Sequence, residues 1–283
     1  MTLRVLATGP LTTFQDGGRP GQAASGIGRS GACDRVSFAL ANRMVGNPAG
    51  TAVLEVTLGG LRLLAQADVV LATTGARCAG GFPHQAATTL RAGEQLQLGR
   101  PDSGLRTYVA VRGGFYVEPV LGSGSTDVLG GLGPAALSVG DELVVGGAQL
   151  SAAEGRPAAE PVAGVLHVDV LPGPRRDWFA DGAWGQLLAS PYTVSMHSNR
   201  VGLRLEGPLL DRVRTEELPS EPMMRGAIQV PPSGQPVLFL ADHPVTGGYP
   251  VLAYVVDEDV DRCGQLRPGQ ALRFRAAQSM LLR

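Results

Sequence analysis

The 283-residue chain contains no lysine. That absence removes every chemistry that needs an ε-amine: a P-loop lysine on a nucleotide phosphate, a Schiff base, a pyridoxal-phosphate anchor, a covalently attached biotin. All 24 basic side chains are arginine, which stays charged and meets a carboxylate or phosphate with a planar fork. Formal net charge is −1, so no excess of positive charge points to nucleic acid. No apolar run reaches the roughly 18 residues a membrane span needs. The opening MTLRVLATGP lacks a basic n-region and a long apolar core, and reads as a strand rather than a targeting peptide. Cysteines are few: Cys33, Cys78 and Cys263, odd in number, widely spaced and without a CxxC pair, suit reduced thiols in a cytoplasmic protein. The four histidines (His84, His167, His197, His243) form no HxH or HExxH pattern, so no structural metal is expected. A Gly-x-Ser-x-Gly elbow is missing too, which removes the usual hydrolase triad.

Glycine and proline, by contrast, are abundant. With 40 Gly and 21 Pro they make up about a fifth of the chain, nearly twice the ordinary share. Turns must be frequent, and the fold class expected is mainly β with a few short helices. Strand signals fall at Ala52–Val56, Leu61–Leu64, Val69–Thr73, Tyr108–Arg112, Val237–Ala241 and Val251–Val256. A turn-plus-strand pattern recurs at 91–98, 138–145 and 267–274, each with Gly at a tight turn before alternating apolar positions. One helix is predicted over Asp34–Val45, capped by Asp34, with Val36, Leu40, Ala41, Met44 and Val45 as its apolar face and Gly46-Asn47-Pro48 as its stop. A poorer helix spans Asp177–Leu188, interrupted by Gly182 and Gly185. The stretch 151–164, SAAEGRPAAEPVAG, has a linker's composition. Two β-rich domains follow, over 1–150 and 165–283.

Several polar clusters sit between strands. In Gln15-Asp16-Gly17-Gly18-Arg19, Asp16 suits either an Asx turn or a base or metal ligand, and Arg19 either an exposed side chain or an anion clamp. Ser30–Asp34 leads into the first helix, as a cap or as an anion site at the helix N-terminus. Glu55 and Thr57 lie on the strand face opposite Leu54 and Val56, lining a barrel mouth or facing solvent. Gly122–Asp127 has the look of a phosphate loop without the lysine and spacing of a Walker motif. Ser198-Asn199-Arg200 suits a carboxylate or phosphate, and Gln229 an amide. Asp242-His243-Pro244-Val245-Thr246-Gly247-Gly248-Tyr249-Pro250 is the densest: a Gly pair admits close ligand approach while Asp, Thr and Tyr supply polar groups. Together these clusters predict one site drawn from both ends of the chain.

Taken in order, the motifs resemble one family nearly end to end. They are Thr13–Arg19, Ser30–Asp34, Ala41-Asn42 with Val45-Gly46-Asn47, Leu54–Thr57, Val111–Gly114, Leu121–Asp127, Ser198–Arg200, Gly226–Pro231 and Thr246–Pro250. The family is that of the 5-oxoprolinase C subunits, also called allophanate hydrolase subunit 2, KipA-like or biotin-dependent carboxyltransferase. One departure stands out: Pro244-Val245 replaces the Gln-Thr that the family commonly has before Thr-Gly-Gly-Tyr-Pro.

The resemblance implies two cyclophilin-like β-barrel domains and a heteromeric complex with two partners, the KipI-like B subunit and the A subunit of the oxoprolinase. Its implied activity is ATP-dependent opening of the 5-oxoproline lactam to L-glutamate, with ATP and Mg²⁺ bound in the assembled complex and no covalent biotin on this chain. Opening an unstrained lactam runs uphill near neutrality, which accounts for coupling to ATP. Asp16, Asp242 and Thr246 are then the catalytic candidates. Gln15, Arg19, Glu55, Ser198, Asn199, Arg200, Gln229, Gly247, Gly248 and Tyr249 are the candidates for substrate and phosphates. Two other readings stand beside it: carboxyl transfer in a biotin-dependent urea or allophanate system, and a non-catalytic KipA-like regulator of a kinase inhibitor.

Overall fold

The computed structural model describes residues 1–151 and 158–277. Of the linker-like stretch 151–164, residues 152–157 lie outside the described residues. The chain divides into two compact units: Met1–Gly21 with Arg29–Ala163, and Gln22–Gly28 with Gly164–Arg283.

The N-terminal unit contains strands β1 (Thr2–Thr8) and β2 (Leu11–Gln15), helix α1 (Arg35–Val45), and strands β3 (Val53–Thr57), β4 (Leu61–Ala65), β5 (Val69–Gly75), β6 (Thr88–Leu90), β7 (Gln95–Gln97), β8 (Arg106–Val111) and β9 (Glu142–Val144). They form a five-stranded sheet, β2-β3-β8-β5-β6, and a four-stranded sheet, β7-β4-β1-β9. Both are antiparallel throughout. Leu54, Val56, Leu71, Val109 and Val111 of the first sheet join Leu3, Val5, Leu61 and Leu63 of the second in one core. The opposite face of the five-stranded sheet is also buried. Val53, Ala72, Tyr108 and Ala110 meet Phe38, Leu40, Ala41 and Val45 of α1. This third layer explains why every position of β8 is buried.

The sequence's periodicity places α1 correctly but turns it slightly. Val36 is exposed, whereas Ser37, Phe38 and Asn42 are buried. Asp34 caps the helix by accepting from the Ser37 N–H at 3.0 Å and from Ser37 Oγ at 2.6 Å. Asn47, just past its end, bonds Asn42 Oδ1 (3.1 Å), the Val111 carbonyl (2.8 Å) and the Gly113 N–H (2.9 Å), pinning the helix to the end of β8.

The C-terminal unit contains β10 (Leu166–Pro172), α2 (Ala183–Ala189), β11 (Pro191–Val194), β12 (Gly202–Glu206), β13 (Glu221–Pro222), β14 (Ala227–Gln229), β15 (Val237–Phe239), β16 (Thr246–Gly247), β17 (Val251–Val255), α3 (Asp257–Cys263) and β18 (Ala271–Ala276). Seven strands close a barrel in the order β10-β17-β14-β15-β12-β11-β18, while β13 and β16 pair with each other. Among the described strands, only β10 and β18 pair in parallel. The barrel is filled by Val168, Val170, Leu203, Leu205, Ile228, Leu238, Leu252 and Phe274.

The helix expected over 177–188 becomes a 3₁₀ turn (Arg176–Trp178) followed by α2, with Gly182 at the N-cap position. Helix α3 has no counterpart in the sequence reading. Its Asp257, Glu258 and Asp259 put three carboxylates in the first turn, where the helix dipole favours them. No described helix is long and apolar enough to cross a membrane.

Candidate functional site

Two polar clusters emerge, one in each unit. In the N-terminal unit, the Gly17-Gly18 turn after β2 brings Asp16 against the loop 121–127. The Asp16 carboxylate accepts from the Gly18 N–H (2.7 Å), Ser123 Oγ (2.7 Å), Ser125 Oγ (2.5 Å) and the Gly124 N–H (2.6 Å). Arg19 is buried and donates to the carbonyls of Ser125 (Nη2, 2.5 Å) and Val120 (Nε, 3.4 Å), with Nη1 4.0 Å from Asp127 Oδ2. Gln15 Nε2 donates to Thr13 Oγ1 (3.0 Å) and the Thr126 carbonyl (2.9 Å). Gln15 Oε1 and Arg19 Nη1 are buried without a hydrogen-bond partner among the described residues, the condition under which a buried water is retained.

This arrangement revises three sequence readings. Asp16 is engaged by four donors, three on Oδ1 and one on Oδ2, and anchors the 121–127 loop. Arg19 holds backbone carbonyls and is no surface anion clamp. The loop resembling a phosphate cradle does bind an anion through its N–H and hydroxyl groups, but that anion is Asp16.

Glu55 makes the same point. It lies on the α1-facing side of β3, fully buried, lining neither a barrel mouth nor a solvated face. Its Oε2 accepts from the Cys33 N–H (3.0 Å) and Tyr108 Oη (2.8 Å), and its Oε1 lies 3.2 Å from Arg106 Nε. Tyr108 Oη also accepts from the Asp34 N–H at 2.8 Å. Burial, and then the Glu55 charge, push the Tyr108 phenol well above its ordinary pKa, so it remains a neutral donor. The anion expected near the start of the first helix is therefore the protein's own carboxylate.

In the C-terminal unit the expected residues fall into a buried ion pair and an open, exposed rim. Arg200 and Asp242 form a fork-to-fork pair, Nε to Oδ2 and Nη2 to Oδ1 at 2.9 Å each, and both are buried. The roles expected for them, anion clamp and base or Mg²⁺ ligand, give way to mutual neutralisation, since parting the pair would leave two uncompensated buried charges. Ser198 and Asn199 are turn-forming: Ser198 Oγ accepts from the Arg204 N–H (3.0 Å), and Asn199 Oδ1 from the Val201 N–H (2.9 Å). Thr246, Gly248 and Tyr249 are all exposed. Gly247 is in register with Glu221 of β13, which Arg175 Nε holds at 3.1 Å. Gln229 Nε2 donates to the Tyr249 carbonyl at 3.0 Å. A Cβ on Gly247 would stand 2.6 Å from Gln229 Nε2 and 2.9 Å from Met223 Cε, so a side chain there would push the Gln229 amide and the Met223 methyl aside. The N–H groups of Gly248 and Tyr249 donate to no described protein group.

Burial pushes the Cys263 thiol up to about 12, which suppresses its thiolate. Among the described residues no group of three or more His, Cys, Asp or Glu is placed to hold a metal ion.

Residues 25–276 match the family described as carboxyltransferase domain, subdomain A and B. The C subunit of 5-oxoprolinase from Escherichia coli (strain K12) is 38% identical over 280 residues, spanning 96% of this chain and 90% of that protein. The chain belongs to the family of 5-oxoprolinase C subunits. The family member from Haemophilus influenzae is 32% identical over 93% of this chain and 87% of its own length. Urea amidolyase of Saccharomyces cerevisiae is 31% identical over 96% of this chain but only 16% of its own length. Among solved structures, the Kluyveromyces lactis urea carboxylase superposes with a TM-score of 0.90 at 30% identity, over 98% of this chain and 27% of that one. TTHA0988 superposes with a TM-score of 0.87 at 36% identity, over 97% of this chain and 55% of that one. The chain thus spans about half or less of the solved chains it matches.

Family motifs flagged the polar residues but not their partners. Ser123, Ser125, Asp127, Arg106 and Tyr108 complete the two N-terminal networks. The first three stood in a recognised motif without a role; Arg106 and Tyr108 lie in an ordinary-looking strand, and only three-dimensional pairing reveals them.

Proposed function

We propose that this chain is the C subunit of an ATP-dependent 5-oxoprolinase and takes part in opening the lactam to L-glutamate within the assembled enzyme. The observation that carries this reading is the 38% identity to a protein named as the C subunit of 5-oxoprolinase, across nearly the full length of both. In outline, the γ-phosphoryl group of ATP moves to the lactam oxygen. Water then adds to the activated carbon, the C–N bond breaks with the nitrogen taking up a proton, and a second water releases phosphate from the resulting acyl phosphate. The products are glutamate, ADP and phosphate.

On this chain, the Gly248 and Tyr249 N–H groups would meet developing negative charge, the contribution worth most in such a step. Gln229 would hold the Gly247–Tyr249 turn in place through the Tyr249 carbonyl. Thr246 would supply an exposed hydroxyl for a hydrogen bond to substrate. The buried Arg200–Asp242 pair would act as a positioning element within the barrel unit. The two carboxylates considered for Mg²⁺, Asp16 and Asp242, are engaged elsewhere, so the metal is assigned to nucleotide phosphates and partner subunits.

Glutamate release from 5-oxoproline and ATP, with this chain and its A and B partners omitted one at a time, tests the reading. Glutamate formed only by the full set, with ADP in proportion, is the expected result. No glutamate from a well-formed complex would overturn it. Similarity to urea amidolyase and urea carboxylase favours one second reading, carboxyl transfer from a biotin carried by another protein, since this chain has no lysine. Bicarbonate-dependent carboxylation of a biotinylated partner would be its signature.

A further inference from the structure

The segment between β8 and β9, residues 112–141, runs about thirty positions with only isolated bridges, Val120↔Ser123 and Asp127↔Leu132 among them. Connections of that length without regular structure are uncommon in a compact unit unless they carry function. From Gly113 to Asp141 it contains no Arg, Lys or His. Its inner side is held by the buried network above: Asp16 on Ser123, Gly124 and Ser125, Arg19 on the Val120 and Ser125 carbonyls, Gln15 on the Thr126 carbonyl. Asp127 fastens the next turn through the Leu129 (2.9 Å) and Gly130 (2.8 Å) N–H groups. Gly133 must be glycine, because at φ +82° a Cβ would sit 2.1 Å from the Ser125 carbonyl oxygen.

What this rigid segment displays is apolar. Tyr116 is 66% exposed and Leu129 52%, with Leu121 and Val128 exposed beside them in sequence. The two ends of the segment, 116–118 and 134–137, together with Asp141–Val144 and Phe14, enclose an open cleft of about 460 Å³. Glu118, Asp141 and Glu142 stand among its lining residues. Holding such a loop with buried charged groups costs desolvation that a plain connector would not require. A pre-ordered apolar surface lowers the ordering cost of association, and exposed apolar surface of this kind marks an interaction site.

We propose that the 113–144 surface of the N-terminal unit docks another subunit of the same enzyme, through a partner face with an apolar centre and Arg or Lys at its rim. The inference rests on the subunit reading above. Two observations favour a protein partner of different sequence: the relatives named as one subunit of an enzyme, and the TTHA0988 chain, nearly half of which lies beyond the part matched here. The cation-free, acid-edged surface sets the partner's charge.

The test is assembly of the full chain with the A and B partners, read by size exclusion and by titration, for the wild type, Leu129→Asp and Tyr116→Ala. Both side chains point to solvent, so the thermal midpoint should be unchanged. The expected result is a loss of affinity of at least ~100-fold for Leu129→Asp and ~10-fold for Tyr116→Ala, with Glu118→Arg weakening association at low salt. Normal assembly by both apolar variants would overturn the inference while leaving the subunit reading intact if glutamate is still formed. Wild-type self-association that Leu129→Asp abolishes, with the heteromeric complex unaffected, would overturn it in favour of a second copy. Failure of the wild type to assemble at all would remove the subunit reading and this inference together.

Discussion

The two units use the same polar residue types to opposite ends. In the N-terminal unit, both anion cradles, the 122–127 loop and the approach to α1, are filled by the protein's own carboxylates, Asp16 and Glu55. In the C-terminal unit the Arg–Asp pair closes on itself, and the Gly248 and Tyr249 N–H groups are left open among the described residues. A glycine-rich polar motif is thus not a site by composition; whether its donors are already occupied decides the matter.

The sharpest way to break this contrast is to remove one partner of the buried pair. Asp242→Asn should cost about 3–5 kcal/mol, because Arg200 is left buried with its charge uncompensated. Both tryptophans, Trp178 and Trp184, lie in the C-terminal unit, so chemical denaturation followed by tryptophan fluorescence would report the loss. A double Arg200→Met, Asp242→Leu replacement should recover much of it; no recovery would mean the pair does more than neutralise itself. Gly247→Ala should come next, through activity: the new Cβ displaces Gln229 and the turn it holds, lowering glutamate formation by the assembled enzyme by ~100-fold. If rate and KM stayed at wild-type values, the open rim would not be where negative charge develops. Asp16→Asn should destabilise by about 2 kcal/mol, since one of its two acceptor oxygens becomes a donor facing N–H and O–H groups. That loss should appear in far-UV circular dichroism and leave the tryptophan transition in place.

The smallest effect is a pH dependence. Burial holds His84 below its ordinary pKa, with Glu160 opposing and Arg77 reinforcing the shift, and its Nε2 is buried without a hydrogen bond. A depressed histidine pKa means the unfolded chain binds the proton more readily. Stability should therefore fall as pH drops below about 6.5 and level off past the folded value. His84→Gln should flatten that slope, and an unchanged profile would rule the histidine out as its source.

Much of the fold was legible because β periodicity and Gly/Pro punctuation are local signals. The strand at Leu61–Leu64 and the capped helix from Asp34 followed from residues within a few positions of each other. Helix α3 was not legible, since three consecutive acids favour a helix start only once the chain is known to turn there. For the candidate site, identity was readable and direction was not. Asp16, Arg19 and Glu55 were found by motif, but apart from the Gly18 N–H on Asp16 their partners lie 22 to 109 positions away in sequence. Val36 shows the same limit: the helical stripe was right on average, and packing by Phe38 decided which edge went inside.

The parallel pairing of β10 with β18 also governs how the C-terminal barrel is made. Asp169 and Arg275, ion-paired across that seam at 3.0 Å, are 106 residues apart. Until the ribosome has delivered residues 271–276, the preceding strands form an open sheet with raw edges at β10 and β11, the exposure that invites mispairing with a neighbouring chain. Delivery of β18, rather than any earlier collapse, therefore sets when this unit becomes safe from aggregation.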